Sequence, residues 1–372
     1  MRVALVINTS WNIYNFRMSL VKALQAAGYE VLAIAPPDDY SARLEAAGCR
    51  FIALPMANKG TRPDQDFGLM RRLTKIYRRE RPDAVLHYTI KPNIYGTLAA
   101  RQAGVPAINN VSGLGTVFIR RNLVSRIALA LYRLAFRYPA TVFFQNPDDR
   151  DLFLEHRLLR SDICRLLPGS GVDTERFRPA PEWRRGHPFT VLMIARVLYE
   201  KGIVEYFEAA RALKAAYGDA VRCQLLGGLD EQGGIGVPRA TFEEWLGEGT
   251  VEWLGTSDDV PAVIAGADVV ALPSYREGTP RTLLEAAAMG KPLVTTDAPG
   301  CREVVVQGHN GFFCPARDGG ALAAALRRVI DLPDEELRRM GAASRELAVT
   351  RFDQQFVIDQ YLDAIHHATQ RR

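Results

Sequence analysis

The stretch SYREGTPRTLLEAAAMGKPLV, residues 274–294, sets two carboxylates, Glu277 and Glu285, on either side of Gly278, Thr279 and Pro280. An ionised carboxylate offers two acceptor oxygens and suits the paired hydroxyls of a sugar. A helix is expected to start between them, with Thr279 as N-cap and Pro280 in the first helical position. Its end would aim the N–H groups of Arg281, Thr282 and Leu283 at the same mouth, where an anion can bind. One glutamate for a ribose and one for a hexose would explain a carboxylate on each side. Read as scaffold alone, Glu277 would complement a helix end and Glu285 would face solvent. A second constellation, ARVLYEKG at 195–202, carries Arg196 and Lys201. Arginine gives a fork and lysine a point charge, and both can neutralise a departing diphosphate. The alternative is a solvated pair of surface cations.

These groups need elements to hold them. Short β-branched runs at 2–8, 29–35, 50–54, 84–88, 106–111 and 141–145 alternate with helical patterns such as 16–28 and 39–48. That order predicts a parallel sheet covered on both faces. TERFRPAPEWRRGHP, at 174–188, has three prolines and no periodicity and reads as a linker. Alternation restarts with strands at 189–195, 221–228, 251–255, 267–273 and 291–296, and helices close the chain at 319–331, 334–349 and 354–370. The expected fold is α/β: two doubly wound, Rossmann-like domains. They span 1–177 and 189–350, with the C-terminal helix 354–372 packing back on the first. Ligands of open α/β sheets sit at the carboxyl ends of the strands, so the site is expected in a cleft between the domains. ADVVALP then puts the Glu277 loop, and FTVLMIA the Arg196 loop, at such ends.

The composition of the 372 residues is ordinary for a soluble globular protein: 48% hydrophobic, 24% charged and a net charge of +5. Five scattered cysteines with no CxxC pair argue for a reducing compartment and against a disulfide framework or metal site. MRVALVIN enters an apolar run too short for a signal peptide, and no segment is apolar for long enough to span a bilayer. No aromatic-basic module suggests nucleic acid.

Taken together, ARVLYEKG, REGTPRTLLEA and LPGSGVD (167–173) resemble the retaining glycosyltransferase family four, whose members have the GT-B fold; the resemblance covers almost the whole chain. INTSWNIYNFR (7–17), HYTIKPNIYG (87–96) and INNVSGLGTVF (108–118) look like a bacterial subfamily that adds N-acetylhexosamines to lipid-linked or surface polysaccharide precursors. The resemblance implies that Arg196 and Lys201 hold the donor diphosphate and that Glu277 binds donor sugar hydroxyls. Gly278, Thr279 and Pro280 would shape the loop against that sugar. Glu285 would bind the ribose, and amides near Leu283 and Leu284 would meet the phosphate. Gly113 and Gly115 would let the backbone approach the reacting centre. The chain departs from the family at Ser112, where many members carry a histidine; serine can donate a hydrogen bond but cannot act as an imidazole. It also lacks paired glycines in the first loop, where Asn8 and its neighbours could supply side-chain hydrogen bonds.

Further candidates are weaker. The Gly-rich LLGGLDEQGGIG, with Gly227, lacks the GxGxxG order and reads as a loop near the nucleotide base. His87 and Lys91 could face acceptor phosphates, though a lone histidine is more often structural. Asp149-Arg150-Asp151 matches a metal-binding DxD, yet Asn146-Pro147 marks a helix start where acids belong; no metal or cofactor is expected. The basic amphipathic stretch 119–139 could lie on an anionic membrane, with arginines 71, 72, 78, 79 and 81 adding to that face, or be a core helix with solvated arginines. The expectation is a cytoplasmic enzyme at the inner membrane face, moving a hexosamine from a UDP-sugar to a polyprenyl-diphosphate-linked glycan. A nonhydrolysing sugar-nucleotide epimerase and a non-catalytic sugar-binding protein are the rivals.

Overall fold

The computed structural model describes residues 1–56, 63–114, 123–182, 184–230 and 236–370. The chain divides into two compact units, Met1–Ser170 with the segment from Gln355 onward, and Gly171–Gln354.

The first unit runs β1 (Arg2–Val6), α1 (Ser10–Phe16), α2 (Met18–Ala26), β2 (Glu30–Ala35), α3 (Ser41–Ala46), β3 (Arg50–Ala53), α4 (Pro63–Glu80), β4 (Ala84–Tyr88), α5 (Thr97–Ala103), β5 (Ala107–Val111), α6 (Leu123–Ala135), β6 (Thr141–Phe144), α7 (Pro147–Glu155) and β7 (Cys164–Leu166). The second runs β8 (Phe189–Ile194), α8 (Ile203–Tyr217), β9 (Val221–Leu226), α9 (Arg239–Gly247), β10 (Val251–Trp253), α10 (Val260–Ala265), β11 (Val269–Leu272), α11 (Arg281–Ala288), β12 (Leu293–Thr296), β13 (Gly311–Cys314), α12 (Gly319–Ile330) and α13 (Asp334–Arg351). The last helix, α14 (Gln354–Gln370), buries Val357, Tyr361 and Ile365 in the core of the first unit.

Every strand pair is parallel, in the orders β3-β2-β1-β4-β5-β6-β7 and β10-β9-β8-β11-β12-β13. Central strands such as β4 and β8 are buried along their whole length because helices cover both faces. In each sheet the winding reverses beside the first strand, between β1 and β4 and between β8 and β11. Beyond the carboxyl ends of such a pair, loops diverge and leave a crevice.

Three expectations change. The first loop is mostly helix: Thr9 Oγ1 accepts the Asn12 N–H at 3.2 Å and starts α1 at Ser10. An N-cap threonine meets one of the orphan donors that a turn would leave to water. Strands β7 and β13 lie at sheet edges and had no sequence signal, being only three and four residues long. Residues 171–177 belong with the second unit, since Val172 and Phe177 bury themselves in its core.

Candidate active site

The second unit's switch point is built by backbone stitching. After β8 the chain makes a short turn, Tyr199–Lys201, and passes through Gly202 at φ 76°. A Cβ on Gly202 would lie 2.2 Å from the Pro273 carbonyl oxygen, so only glycine lets this turn lie against the loop after β11. The Tyr275 N–H donates to the Glu200 carbonyl at 2.9 Å, and Ser274 Oγ donates to the same oxygen at 3.1 Å. The result places Lys201 Nζ 2.5 Å from Glu277 Oε1, which lies 2.7 Å from Ser274 Oγ, so the carboxylate and the Glu200 carbonyl share that single hydroxyl proton.

Glu277 is held from below as well. Its N–H donates to the Pro299 carbonyl at 2.9 Å. A Cβ on Gly300 would meet the Glu277 and Gly278 carbonyls at 2.3 and 2.5 Å. Cys301, in the same loop, is buried; burial first, and the Glu277 charge second, push its thiol up to about 12. It stays protonated and is no nucleophile.

Arg196 is largely exposed and lies 3.6 Å from Asp230. Its loop is stitched to the Gly227 strip: the Ala195 N–H donates to Leu226 and the Val197 N–H to Gly228, each at 3.0 Å. Gly227 sits where a Cβ would be 1.8 Å from the Ala195 carbonyl oxygen. Its need to be glycine is therefore this close approach.

Helix α11 starts one residue later than expected. Pro280 is the N-cap and Thr279 makes no side-chain cap; its hydroxyl donates to the Gly278 carbonyl at 3.0 Å. The Leu283 and Leu284 amides donate to the Pro280 carbonyl at 3.1 and 3.3 Å. Both are spent inside the first turn, so the expectation that they meet a phosphate does not fit this geometry. Glu285 does not face solvent: it is buried, and Arg281 Nε donates to its Oε1 at 2.8 Å. Burial raises its pKa, against the opposing charges of Arg281 and Arg176.

In the first unit, Asn8 and Ser112 are half-buried at the ends of β1 and β5. Gly113 adopts φ 122°, a conformation that favours glycine. Gly115 lies outside the described residues, as do 119–122 and 231–235 of the stretches above. Asn146 Oδ1 caps α7 by accepting the Asp149 N–H at 2.8 Å, which puts the DxD acids in that helix's first turns. Lys91 Nζ is engaged by Asp66 Oδ1 at 2.8 Å, and Tyr95 binds the other carboxylate oxygen.

His87 does not face an acceptor. It is fully buried between Tyr77, whose hydroxyl lies 2.9 Å from Nε2, and Asn109, whose Oδ1 lies 2.9 Å from Nδ1. Asn109 Nδ2 donates to Thr97, which leaves Oδ1 as acceptor. The ring is thus the neutral Nδ1–H tautomer, assigned from this network. Burial lowers its pKa to about 4. Below the ordinary value of 6.5 the unfolded chain takes a proton that the native ring refuses. Stability is therefore expected to fall as pH drops from 6.5 to 4, by roughly 3 kcal/mol in all. Urea unfolding across that range checks this; a His87→Gln variant with the same pH slope as wild type would refute it.

Sequence reasoning missed the parts that support the site. Ser274, Gly202 and Gly300 act through contacts between loops far apart in the chain, and only the glycines left a trace.

Residues 174–347 match the family described as Glycosyl transferases group 1, and residues 15–169 match the Glycosyl transferase 4-like domain. Over 97% of each chain the protein is 29% identical to the N,N'-diacetylbacillosaminyl-diphospho-undecaprenol alpha-1,3-N-acetylgalactosaminyltransferase of Campylobacter jejuni. It is 25% identical to the UDP-Gal:alpha-D-GlcNAc-diphosphoundecaprenol alpha-1,3-galactosyltransferase of Escherichia coli, over 76% of this chain and 74% of the other. Among solved structures, Anabaena HepE in complex with UDP matches with a TM-score of 0.79 at 19% identity, over 99% of this chain and 100% of that one. These likenesses agree with two parallel-sheet, Rossmann-like units of the GT-B class.

Proposed function

We propose that this chain, which belongs to the group 1 glycosyltransferases, moves an N-acetylhexosamine from a UDP-sugar to a glycan on a polyprenyl diphosphate. The observation that carries the substrate class is the end-to-end match to the Campylobacter enzyme. The geometry supports the chemistry: a lysine and an arginine border the β8/β11 switch point, and a carboxylate with a hydroxyl neighbour lies beside the lysine.

In this reading Glu277 binds donor sugar hydroxyls, Glu285 the ribose, and Lys201 with Arg196 the diphosphate. The reaction retains the anomeric configuration by a front-face route without a metal. The bond from the acceptor oxygen to C1 forms as the bond from C1 to the diphosphate oxygen breaks. The acceptor's proton passes to the departing diphosphate. Lys201 and Arg196 stabilise the charge that develops there.

The acceptor's chemistry calls for work at a cytoplasmic membrane face. No described helix is long and apolar enough to cross a membrane. Helix α6 and the residues after it instead expose Ile127, Leu134 and Tyr138 beside Arg126, Arg133 and Arg137. Apolar side chains ringed by arginine suit an anionic lipid surface. Sedimentation with phosphatidylglycerol vesicles should exceed that with phosphatidylcholine about tenfold. An Ile127→Asp/Leu134→Asp variant should lose the difference, and binding indifferent to both changes would remove this contact.

The activity is tested by incubating UDP-, GDP- and dTDP-sugars with the protein, with and without membrane lipid extract. Nucleotide release and lipid-linked product are measured. Lipid-dependent release from a UDP-N-acetylhexosamine is the expected result. Isomerised donor with no lipid requirement would make the protein an epimerase.

A further inference from the structure

At the first unit's switch point, between the ends of β1 and β4, the chain buries a positive charge that the reading above leaves unused. Arg17 stands where α1 gives way to α2 and is only 7% exposed. Its guanidinium lies 4.6 Å from the centre of the Tyr88 ring. Among the described residues it makes one hydrogen bond, a long one of 3.3 Å from Nη1 to the Phe16 carbonyl. Nε is buried without an acceptor, and no carboxylate pairs with the group among the described residues. A buried cation is costly unless an anion and further acceptors meet it, and an aromatic face returns only part of that.

The surroundings are unfinished too. Asn12 Oδ1, Asn110 Oδ1 and the Thr89 hydroxyl are buried without partners among the described residues. Thr89 follows β4 at φ 65°, an uncommon conformation for a β-branched residue. Asn110 Nδ2 donates to the Tyr361 hydroxyl of α14 at 2.7 Å, and the Tyr361 ring lies 6.1 Å from that of Tyr88. The set thus combines an unmatched cation and the Thr89 hydroxyl with amide oxygens that need donors. A sugar joined to a phosphate supplies both complements, oxyanions for the guanidinium and hydroxyls for the asparagines.

We propose that Arg17 binds the diphosphate of the acceptor, with Asn12 and Asn110 receiving hydroxyls of the sugar attached to it. This rests on the reading of the acceptor as a polyprenyl-diphosphate-linked glycan. Arg17 contacts substrate at this site and takes no part in bond making.

The test uses the full chain with farnesyl diphosphate as probe, followed by calorimetry. Wild type should bind it, and Arg17→Met should bind at least tenfold more weakly, with Arg17→Lys between. UDP affinity should be unchanged in both. Because methionine removes an unpaired buried charge, the Arg17→Met melting temperature should hold or rise; a purely structural arginine would lower it. In turnover, the acceptor KM should rise about tenfold with kcat nearly kept. An acceptor sugar on a neutral alkyl chain should react equally well with wild type and variant. Equal farnesyl diphosphate affinity in wild type and Arg17→Met would overturn the proposal. So would inorganic phosphate binding as tightly as farnesyl diphosphate, which would make this a site for free phosphate. Arg17-dependent binding of the probe without any hexosamine transfer would support this site while removing the proposed reaction. Normal transfer by Arg17→Met at unchanged KM would do the reverse.

Discussion

Replacing Lys201 with alanine is expected to lower kcat by about 100- to 1,000-fold, with a smaller change in donor KM. The lysine sits at the end of a turn locked by Gly202 against the loop after β11, and its Nζ is 2.5 Å from Glu277. A charge fixed before the reaction needs no reorganisation as the diphosphate departs, so its effect grows toward the transition state. The same variant removes the Lys201 charge beside Glu277, whose side chain is 14% exposed. A modest loss of stability should accompany the loss of turnover, and thermal melting separates the two. Lys201→Arg should recover little, because a planar fork does not replace a compact ammonium at this distance. Turnover by Lys201→Ala within about threefold of wild type would end the assignment of this charge to the leaving group.

The Gly227→Ala variant is expected to lose roughly 3–5 kcal/mol of stability and, with it, the placement of Arg196. Its Cβ would fall 1.8 Å from the Ala195 carbonyl oxygen, a backbone atom that cannot rotate aside. Gly227 also holds two hydrogen bonds, its N–H to Gly255 at 2.7 Å and its carbonyl from Trp253 Nε1 at 2.8 Å. Relief therefore means breaking the strip that carries Arg196. Gly228→Ala is the control, since its Cβ would meet nothing closer than Thr256 Cγ2 at 3.4 Å. Urea denaturation should show Gly228→Ala within about 1 kcal/mol of wild type. Equal behaviour of the two variants would mean that the loop yields, and that Gly227 has no special steric duty.

The sequence alone determined the α/β class, the two consecutive units and the motifs of the second one. Strand runs such as FTVLMI and the REGTP block are local signals, legible wherever they fold. Helix α1 was missed because its cap, Thr9, sits between Asn8 and Ser10 in a polar stretch that reads equally well as a turn. Only the tertiary structure decided which way the side chains point. Strand β4, AVLHY, is buried on both faces, so no polar-apolar alternation says which layer each residue enters. His87 turns toward α4 and α5 and becomes a neutral core residue; Tyr88, one position on, turns to the opposite face and meets Arg17 and Tyr361. The lysine–glutamate pair and the unpaired arginine arise the same way, from loops tens to hundreds of residues apart. Periodicity reports burial, whereas charge pairing depends on the distances that only the folded chain sets.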